Sequence, residues 1–555
     1  MAIETFAPFR LRPGDALAEM EAYAAETGGA PLVVDPADAG LAGPPSRAWA
    51  RVPAGRAADQ VEACRAADGR VSGVSGFERA CLHNLEHRRR VADLAIRSVD
   101  LGHPGLLLDR PDAVLALGLL GAGFSDACQG AFLAELRREY GAQLEPFDYR
   151  RLAGDALATA PGAVTYEQLH FGREFWRFRN ESLSDALAAY VRPVRDRARE
   201  ARRELRIGAR FDGVGPAQYE ACRILDAAVF PLRLAAHQAG IGVSRLWRAV
   251  MGQRLVAAEV PEDLDGAAVA RLGAVLASSG VEVAFEEGDR AVALSPVRAL
   301  ARGHAARRAS QAFSDPVAEC VLFYSAEADL WTRGLHRMAV EEAGETLSRM
   351  HVQWIATTGA LAPRPGSVLV LAQATALAAP EAAAVSRYLE AGGLVLAFGA
   401  PGRVDDAGEE LPPFLPEARS TVKVGQGTLL GLPPLVPNPA TGLPVGPAAL
   451  EPIAKALDAL RGRGRRAVEV QSRTPVLVSL WRAPKRLDVH LVSLGDAPLR
   501  GATLVLGDGV AGSARRARFR TADGGDERFA LNPSGWSVST VLPAFQGYAI
   551  LSLVP

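Results

Sequence analysis

The sequence predicts an α/β fold in three parts: a (β/α)8 TIM-type barrel over 1–312, a doubly wound α/β domain over 313–448, and a small all-β sandwich over 449–555. Three observations predict it. Short apolar runs alternate with helical periodicity through roughly the first 300 residues, the usual span of such a barrel. A second rhythm of buried strand and helix begins at Cys320. Beyond Arg466 helical periodicity stops and short alternating segments take over.

In the barrel, a helix over Asp15–Thr27 leads to the run Pro31–Asp35 (PLVVD). Ala48–Val52 (AWARV) precedes a helix near Ala57–Ala67, and Val71–Ser75 (VSGVS) precedes one carrying Val91, Leu94 and Ile96. Gly105–Leu108 is apolar and ends on Asp109-Arg110-Pro111, as a strand buried on both faces ends on a polar tip. A Gly/Ser/Asp loop (Gly121–Asp126) and an amphipathic helix (Ala127–Tyr140) follow. Arg206–Phe211, Ala227–Pro231, Leu255–Val260 and Val281–Phe285 complete eight strand candidates. In the middle domain, Gly392-Gly393 caps a helix near Pro380–Ala391 ahead of the buried run Leu394–Phe398. A Pro-rich connection, 411–447, and a helix near Leu450–Leu460 lead to the sandwich segments Ala467–Val470, Val476–Leu480, Leu487–Val492, Ala502–Leu506, Ala517–Arg520 and Gly547–Leu553.

Composition narrows the function. Hydrophobic residues make up 49% and charged residues 23%, as in an ordinary globular protein, and the formal net charge of −1 gives no electrostatic case for nucleic acid or an anionic membrane. The Arg-rich run Arg195–Arg210 alternates with acids and reads as a solvated helix face. No run approaches the roughly 20 apolar residues of a membrane span. The five cysteines are odd in number and form no CxxC pair, so neither a zinc knuckle nor a disulfide framework is expected. The N-terminus has no basic and apolar leader pattern, and a cytoplasmic location is expected.

Several segments carry a resemblance. Gly366–Ala400 (GSVLVLAQATALAAPEAAAVSRYLEAGGLVLAFGA) resembles the glutamine-amidotransferase-like middle domain of family 42 glycoside hydrolases, the β-galactosidase type. Val422–Pro434 resembles the glycine-bearing hairpin closing that domain, and Leu487–Leu494 a strand of its C-terminal sandwich. The stretch from Gly105 to Tyr140-Gly141 resembles the family's fourth barrel strand, its acidic tip and the helix beyond. The resemblance implies a carbohydrate substrate, hydrolysis of an O-glycosidic bond by a retaining two-carboxylate mechanism, no organic cofactor, and a homo-oligomer, a trimer in this architecture.

Glycoside cleavage needs one carboxyl as proton donor and another as nucleophile or base. By the placement the resemblance implies, Asp109 at the fourth strand's tip is the acid/base and Glu259 at the seventh's end the nucleophile. Arg110, Asp112, Asp212 and Trp331 are the candidate substrate-binding residues. Bland alternatives stand beside these: Asp109-Arg110-Pro111 as a turn with a local ion pair, Glu259 as a solvated residue before Pro261, Asp212-Gly213 as a common turn pair, Trp331 as interface core.

The departures are as informative. The family's Asn-Glu at the fourth strand is here Asp109-Arg110. The Asn180-Glu181 pair lies in the helical stretch Glu174–Tyr190, leaving Glu181 a secondary catalytic candidate. Family members often carry several zinc-binding cysteines in the loop before the helix, but Gly123–Cys128 holds only Cys128, so no metal is expected there. The middle domain lacks a Gly-x-Cys-x-Gly elbow, which removes amidotransferase chemistry. The alternatives to a hydrolase are a catalytically inactive carbohydrate-binding or assembly protein on this scaffold, and a transglycosidase.

Overall fold

The computed structural model describes residues 33–34, 49–74, 77–117, 120–159, 165–234, 238–260, 264–285, 307, 311, 314–359, 367–405, 421–435, 445–461, 466–512, 514–534 and 537–554. The helix expected over Asp15–Thr27 lies outside them.

Among the described residues, twenty-five strands are numbered in chain order. Those of the barrel are β1 (Val33–Val34), β2 (Trp49–Pro53), β5 (Gly105–Asp109), β6 (Arg206–Arg210), β7 (Ala227–Pro231), β8 (Leu255–Val260) and β9 (Glu282–Phe285). They pair in that order, every pair parallel. Between them β3 (Gly73–Val74) and β4 (Phe77–Glu78) form a separate antiparallel hairpin.

The period-two alternation of a strand decides what each residue faces. Trp49, Leu107, Ala227, Val229, Ala257 and Ala284 pack together in one cluster inside the barrel. Their chain neighbours Ala50, Val52, Leu106, Leu108, Ala228, Phe230, Val256 and Ala258 belong to the outer core, under the helices. The 29-residue helix Gly172–Glu200 lays Leu183, Leu187, Tyr190, Val191 and Val194 into that core.

Two expectations fail here. Val71–Ser75 supplies no barrel strand, since β2 pairs directly with β5 and Gly73–Val74 turns back on Phe77–Glu78. Nor is there a helix at Ala57–Ala67. The backbone hydrogen bonds of this segment run across to the next one, Cys64 N to Arg79 O (2.8 Å) and Ser72 N to Cys64 O (2.8 Å). Tertiary pairing that buries Ala63, Cys64 and Ala67 overrides the local apolar spacing.

After β10 (Asp315–Pro316), the middle domain contains β11 (Cys320–Phe323), β12 (Trp354–Thr357), β13 (Val368–Ala372), β14 (Leu394–Phe398), β15 (Thr421–Val424) and β16 (Gly427–Leu432). Their order is β12-β11-β13-β14-β16-β15, parallel except for the β15–β16 hairpin, with helices Leu335–Arg349 and Ala379–Glu390 as crossovers. Gly392 adopts the left-handed cap conformation expected of it (φ 90°).

The last strands are β17 (Val468–Gln471), β18 (Val476–Ala483), β19 (Arg486–Ser493), β20 (Thr503–Gly507), β21 (Arg516–Thr521), β22 (Asp526–Ala530), β23 (Asn532–Ser534), β24 (Ser537–Val541) and β25 (Tyr548–Val554). They form two antiparallel sheets, β10-β18-β19-β25-β21-β22 and β17-β20-β24-β23, around a shared apolar core. A polar seam joins this sandwich to the middle domain. The Glu319 carboxylate accepts from Gln353 N (3.1 Å) and Ala467 N (3.0 Å), and the Gln353 side chain accepts from Leu480 N (3.0 Å). Among the described residues no helix is long and apolar enough to cross a membrane.

Gly105 sits under the Trp49 indole, where a Cβ would lie 2.3 Å from the ring. Gly105→Ala is therefore expected to lower the unfolding free energy by about 1–3 kcal/mol, the range for overpacking. Chemical denaturation checks this; a change below roughly 0.5 kcal/mol, the size of a neutral surface substitution, would show that the indole moves aside freely.

Candidate active site at the barrel mouth

The alternation that turns Leu107 inward also turns Asp109 inward, at the C-terminal end of β5. In the same way Arg210 ends β6, Glu259 nears the end of β8, and Arg51 follows Trp49 on β2. These side chains form the polar layer above the Trp49 cluster, at the barrel face where such folds build their sites. Asp109 and Glu259 are 8% and 9% exposed.

The two carboxylates are joined by one guanidinium. Arg210 reaches Glu259 Oε1 through Nη2 (2.6 Å) and Asp109 Oδ1 through Nη1 (3.3 Å). Arg51 Nη2 takes the other oxygen of Asp109 at 2.5 Å. Asp212, on the loop after β6, is held likewise: Arg79 Nη1 lies 3.4 Å from Oδ2 and Arg110 Nε 3.1 Å from Oδ1. Arg110 has a left-handed backbone (φ 50°), unusual for a residue with a side chain, and its N–H donates to Arg210 O at 2.7 Å. Gly55 permits this turn, because a Cβ there would stand 1.9 Å from Arg110 O.

Asp112 does not line the mouth. It is fully buried and accepts from Asp212 N (2.8 Å), Gly213 N (3.0 Å) and Gln218 Nε2 (2.7 Å), clasping the loop after β5 to the loop after β6. Burial pushes its carboxyl up to about 6, against those hydrogen bonds. The substrate contact expected of it is thus replaced by a role in holding the loop. Trp331 packs with Tyr166, Leu330 and Ala376, and Trp176 Nε1 donates to Leu330 O (3.0 Å). It is therefore part of the contact between the barrel's helix Gly172–Glu200 and the middle domain. Glu181 is exposed on that same helix.

Sequence reasoning missed Arg51, Arg79 and Arg210. Arg51 and Arg210 lie on the two strands that flank the strand of Asp109, a neighbourhood that no local sequence rule supplies. Sequence reasoning also missed a cluster of thiols. Cys64, Cys81 and Cys128 are buried, with sulfurs all within 4.8 Å of one another and Cys81 and Cys128 3.1 Å apart. Gly123 N donates to the Cys64 sulfur (3.1 Å) and Ser125 Oγ to that of Cys81 (2.9 Å). Hydrogen bonds, led by that with Cys128, push the Cys81 thiol below its ordinary range. Arg179 is buried near Cys64 and Cys128, and burial lowers it to about 10.

These residues fit the zinc that the resemblance had associated with this region. Three sulfurs about 2.3 Å from one ion stand about 3.8 Å apart. A divalent ion with three thiolates carries one negative charge, which the Arg179 guanidinium offsets. The expectation of no metal rested on one loop alone, whereas the fold brings Cys64 and Cys81 to Cys128 from elsewhere.

No family model and no curated protein matches the sequence. Solved structures do match in fold. A β-galactosidase from Bacillus circulans sp. alkalophilus has a TM-score of 0.67 at 11% identity, with 99% of each chain covered. A catalytic mutant of a GH42 β-galactosidase from G. stearothermophilus has a TM-score of 0.65 at 10% identity, covering 99% of this chain and 98% of that one. An α-L-fucosidase isoenzyme from Paenibacillus thiaminolyticus has a TM-score of 0.62 at 12% identity, covering 100% and 99%.

Two outcomes are expected of this region. Because the Asp112 carboxyl titrates at about 6 when folded and 3.8 in the ordinary state, its proton stabilises the fold fully below about pH 4. That contribution declines as pH rises to 6, by up to about 3 kcal/mol. The unfolding free energy of Asp112→Asn should lack this decline, and profiles that run parallel from pH 4 to 6 would show that Asp112 is ionised throughout. Cobalt(II) added to the reduced protein should give thiolate-to-metal absorption that Cys64→Ser weakens. No such absorption in the wild type would leave the thiols a packing role alone.

The chain therefore has the fold of the family 42 glycoside hydrolases over nearly its whole length.

Proposed function

We propose that this protein binds carbohydrate at the barrel mouth and does not cleave it by the two-carboxylate route. One observation carries the reading: the Arg210 guanidinium bridges Asp109 and Glu259. A retaining glycosidase sets its carboxyls about 5–5.5 Å apart with the anomeric carbon between them, and one of them brings a proton to the leaving oxygen. Here a cation occupies the intervening space. Asp109 accepts from two guanidiniums and stands where a donor would be needed. Asp is also shorter than the Glu of the family pattern. What remains is a ring of fixed acceptors and donors, Asp109, Glu259 and Asp212 with Arg51, Arg79, Arg110 and Arg210, of the kind that reads sugar hydroxyls.

A second reading, a retaining hydrolase with Asp109 as acid/base and Glu259 as nucleophile, draws on one fact. Both carboxylates face the same mouth from the ends of strands that have two others between them in the sheet order. Purified protein incubated with a panel of aryl glycosides, beside calorimetric titration with the parent sugars, separates the two. Saturable binding without turnover, weakened at least tenfold in Arg210→Met, is the expected result. Turnover abolished in both Asp109→Asn and Glu259→Gln would establish the hydrolase. Neither binding nor turnover across the panel would sink both.

A further inference from the structure

Far from the mouth, a cavity of about 240 Å³ lies where the three domains meet. The barrel contributes helix Ile241–Met251, the end of helix Gly266–Ser279 and Gln311; the middle domain contributes β12, and the sandwich β10 and β18. The polar groups that line it have something in common. Ser279 Oγ, Gln311 Nε2 and Trp481 Nε1 are buried atoms with no hydrogen-bond partner among the described residues, and Ser279 is only 2% exposed. An indole N–H and an amide NH2 can only donate, and a hydroxyl can do so.

Two guanidiniums line the same cavity. Arg245 stacks on Trp354, 5.0 Å from its ring centroid, and donates to Trp354 O (2.7 Å) and Ser479 Oγ (2.6 Å). Arg248 donates to Arg254 O (3.1 Å) and Gln253 Oε1 (3.4 Å). Neither has an ion-pair partner among the described residues, and burial lowers both to about 10, with Arg307 adding like charge at Arg248. The nearby Glu282 is paired with Arg307, and Asp315, the one carboxylate among the described lining residues, is exposed. Partly buried cations without counter-charge, beside donors without acceptors, are costly unless an anion completes them.

We propose that this junction is a binding site for a small oxyanion, a phosphorylated or carboxylated molecule no larger than a monosaccharide derivative. The volume equals about eight waters' share of the liquid, enough for an anionic headgroup with a short organic remainder. Trp481 and Gln311 would donate to its oxygens with Ser279, while Arg245 and Arg248 supply the charge. Because all three domains line the cavity, an occupant bonds to each of them and fastens the sandwich to the barrel.

The test uses the intact chain, titrated by calorimetry with inorganic phosphate, galactose 1-phosphate and galacturonate, each against sodium chloride at equal ionic strength. Saturable binding of at least one oxyanion with one site per chain is expected. It should weaken at least tenfold in Arg248→Gln and severalfold in Ser279→Ala and Trp481→Phe, with sugar binding at the mouth unchanged in all three. The tighter arm assigns the headgroup as phosphoryl or carboxylate. Trp481→Phe removes one N–H and keeps the ring's bulk, so it decides the matter if Arg248→Gln fails to fold. No saturable binding beyond chloride, or equal binding in wild type and Trp481→Phe together with Ser279→Ala, would overturn the proposal. The oxyanion readouts do not depend on what the mouth binds.

Discussion

The mouth depends on one cross-brace, the Arg210 guanidinium held between Asp109 and Glu259. Parallel strands and period-two alternation force every second side chain into the barrel. The upper layer of such a barrel is narrow, and charges placed there must neutralise one another. With Arg51 added, two cations meet two anions. Removing one member of such a group typically costs 3–5 kcal/mol, roughly, because the others stay buried and uncompensated. The same four positions hold each carboxylate of the layer against at least one guanidinium.

Much of the architecture was legible because it rests on local pattern. Gly105–Asp109, Leu255–Val260 and Leu394–Phe398 are apolar runs with sharp ends, and each is a buried parallel strand. Failure came where tertiary pairing decides. Val71–Ser75 has the residues of a strand, but Gly73–Val74 pairs antiparallel with Phe77–Glu78 instead of joining the barrel sheet. At the site, the carboxylates could be placed at strand ends from sequence. Their partners could not, since Arg51 lies 58 residues from Asp109 and no local rule joins them. Asp112 shows the same limit: three residues from Asp109, it is turned from the mouth into the body of the protein by the Arg110 backbone.

The thiols make a related point about spacing. Motif reasoning looks for ligands a few residues apart, and Cys64, Cys81 and Cys128 are separated by 17 and 47 positions. Two backbone bonds, Phe124 N to Arg65 O (3.0 Å) and Cys64 N to Arg79 O (2.8 Å), draw their segments into one layer. The same segments lack the expected helix at Ala57–Ala67, and the non-helical path is what presents Cys64 to its neighbours.

The short strand β10 has a consequence for how the chain is made. Asp315 and Pro316 precede the middle domain, yet they pair with Arg482 and Trp481 of β18. Glu319, just beyond, accepts from Ala467 N. A nascent chain leaving the ribosome therefore presents the middle domain before its edge partner and the seam's second half exist. Until 148 more residues have been synthesised, at some 5–20 residues per second, the Glu319 carboxylate waits for one of its donors. A segment translated later completes a contact that the start of the middle domain has left open.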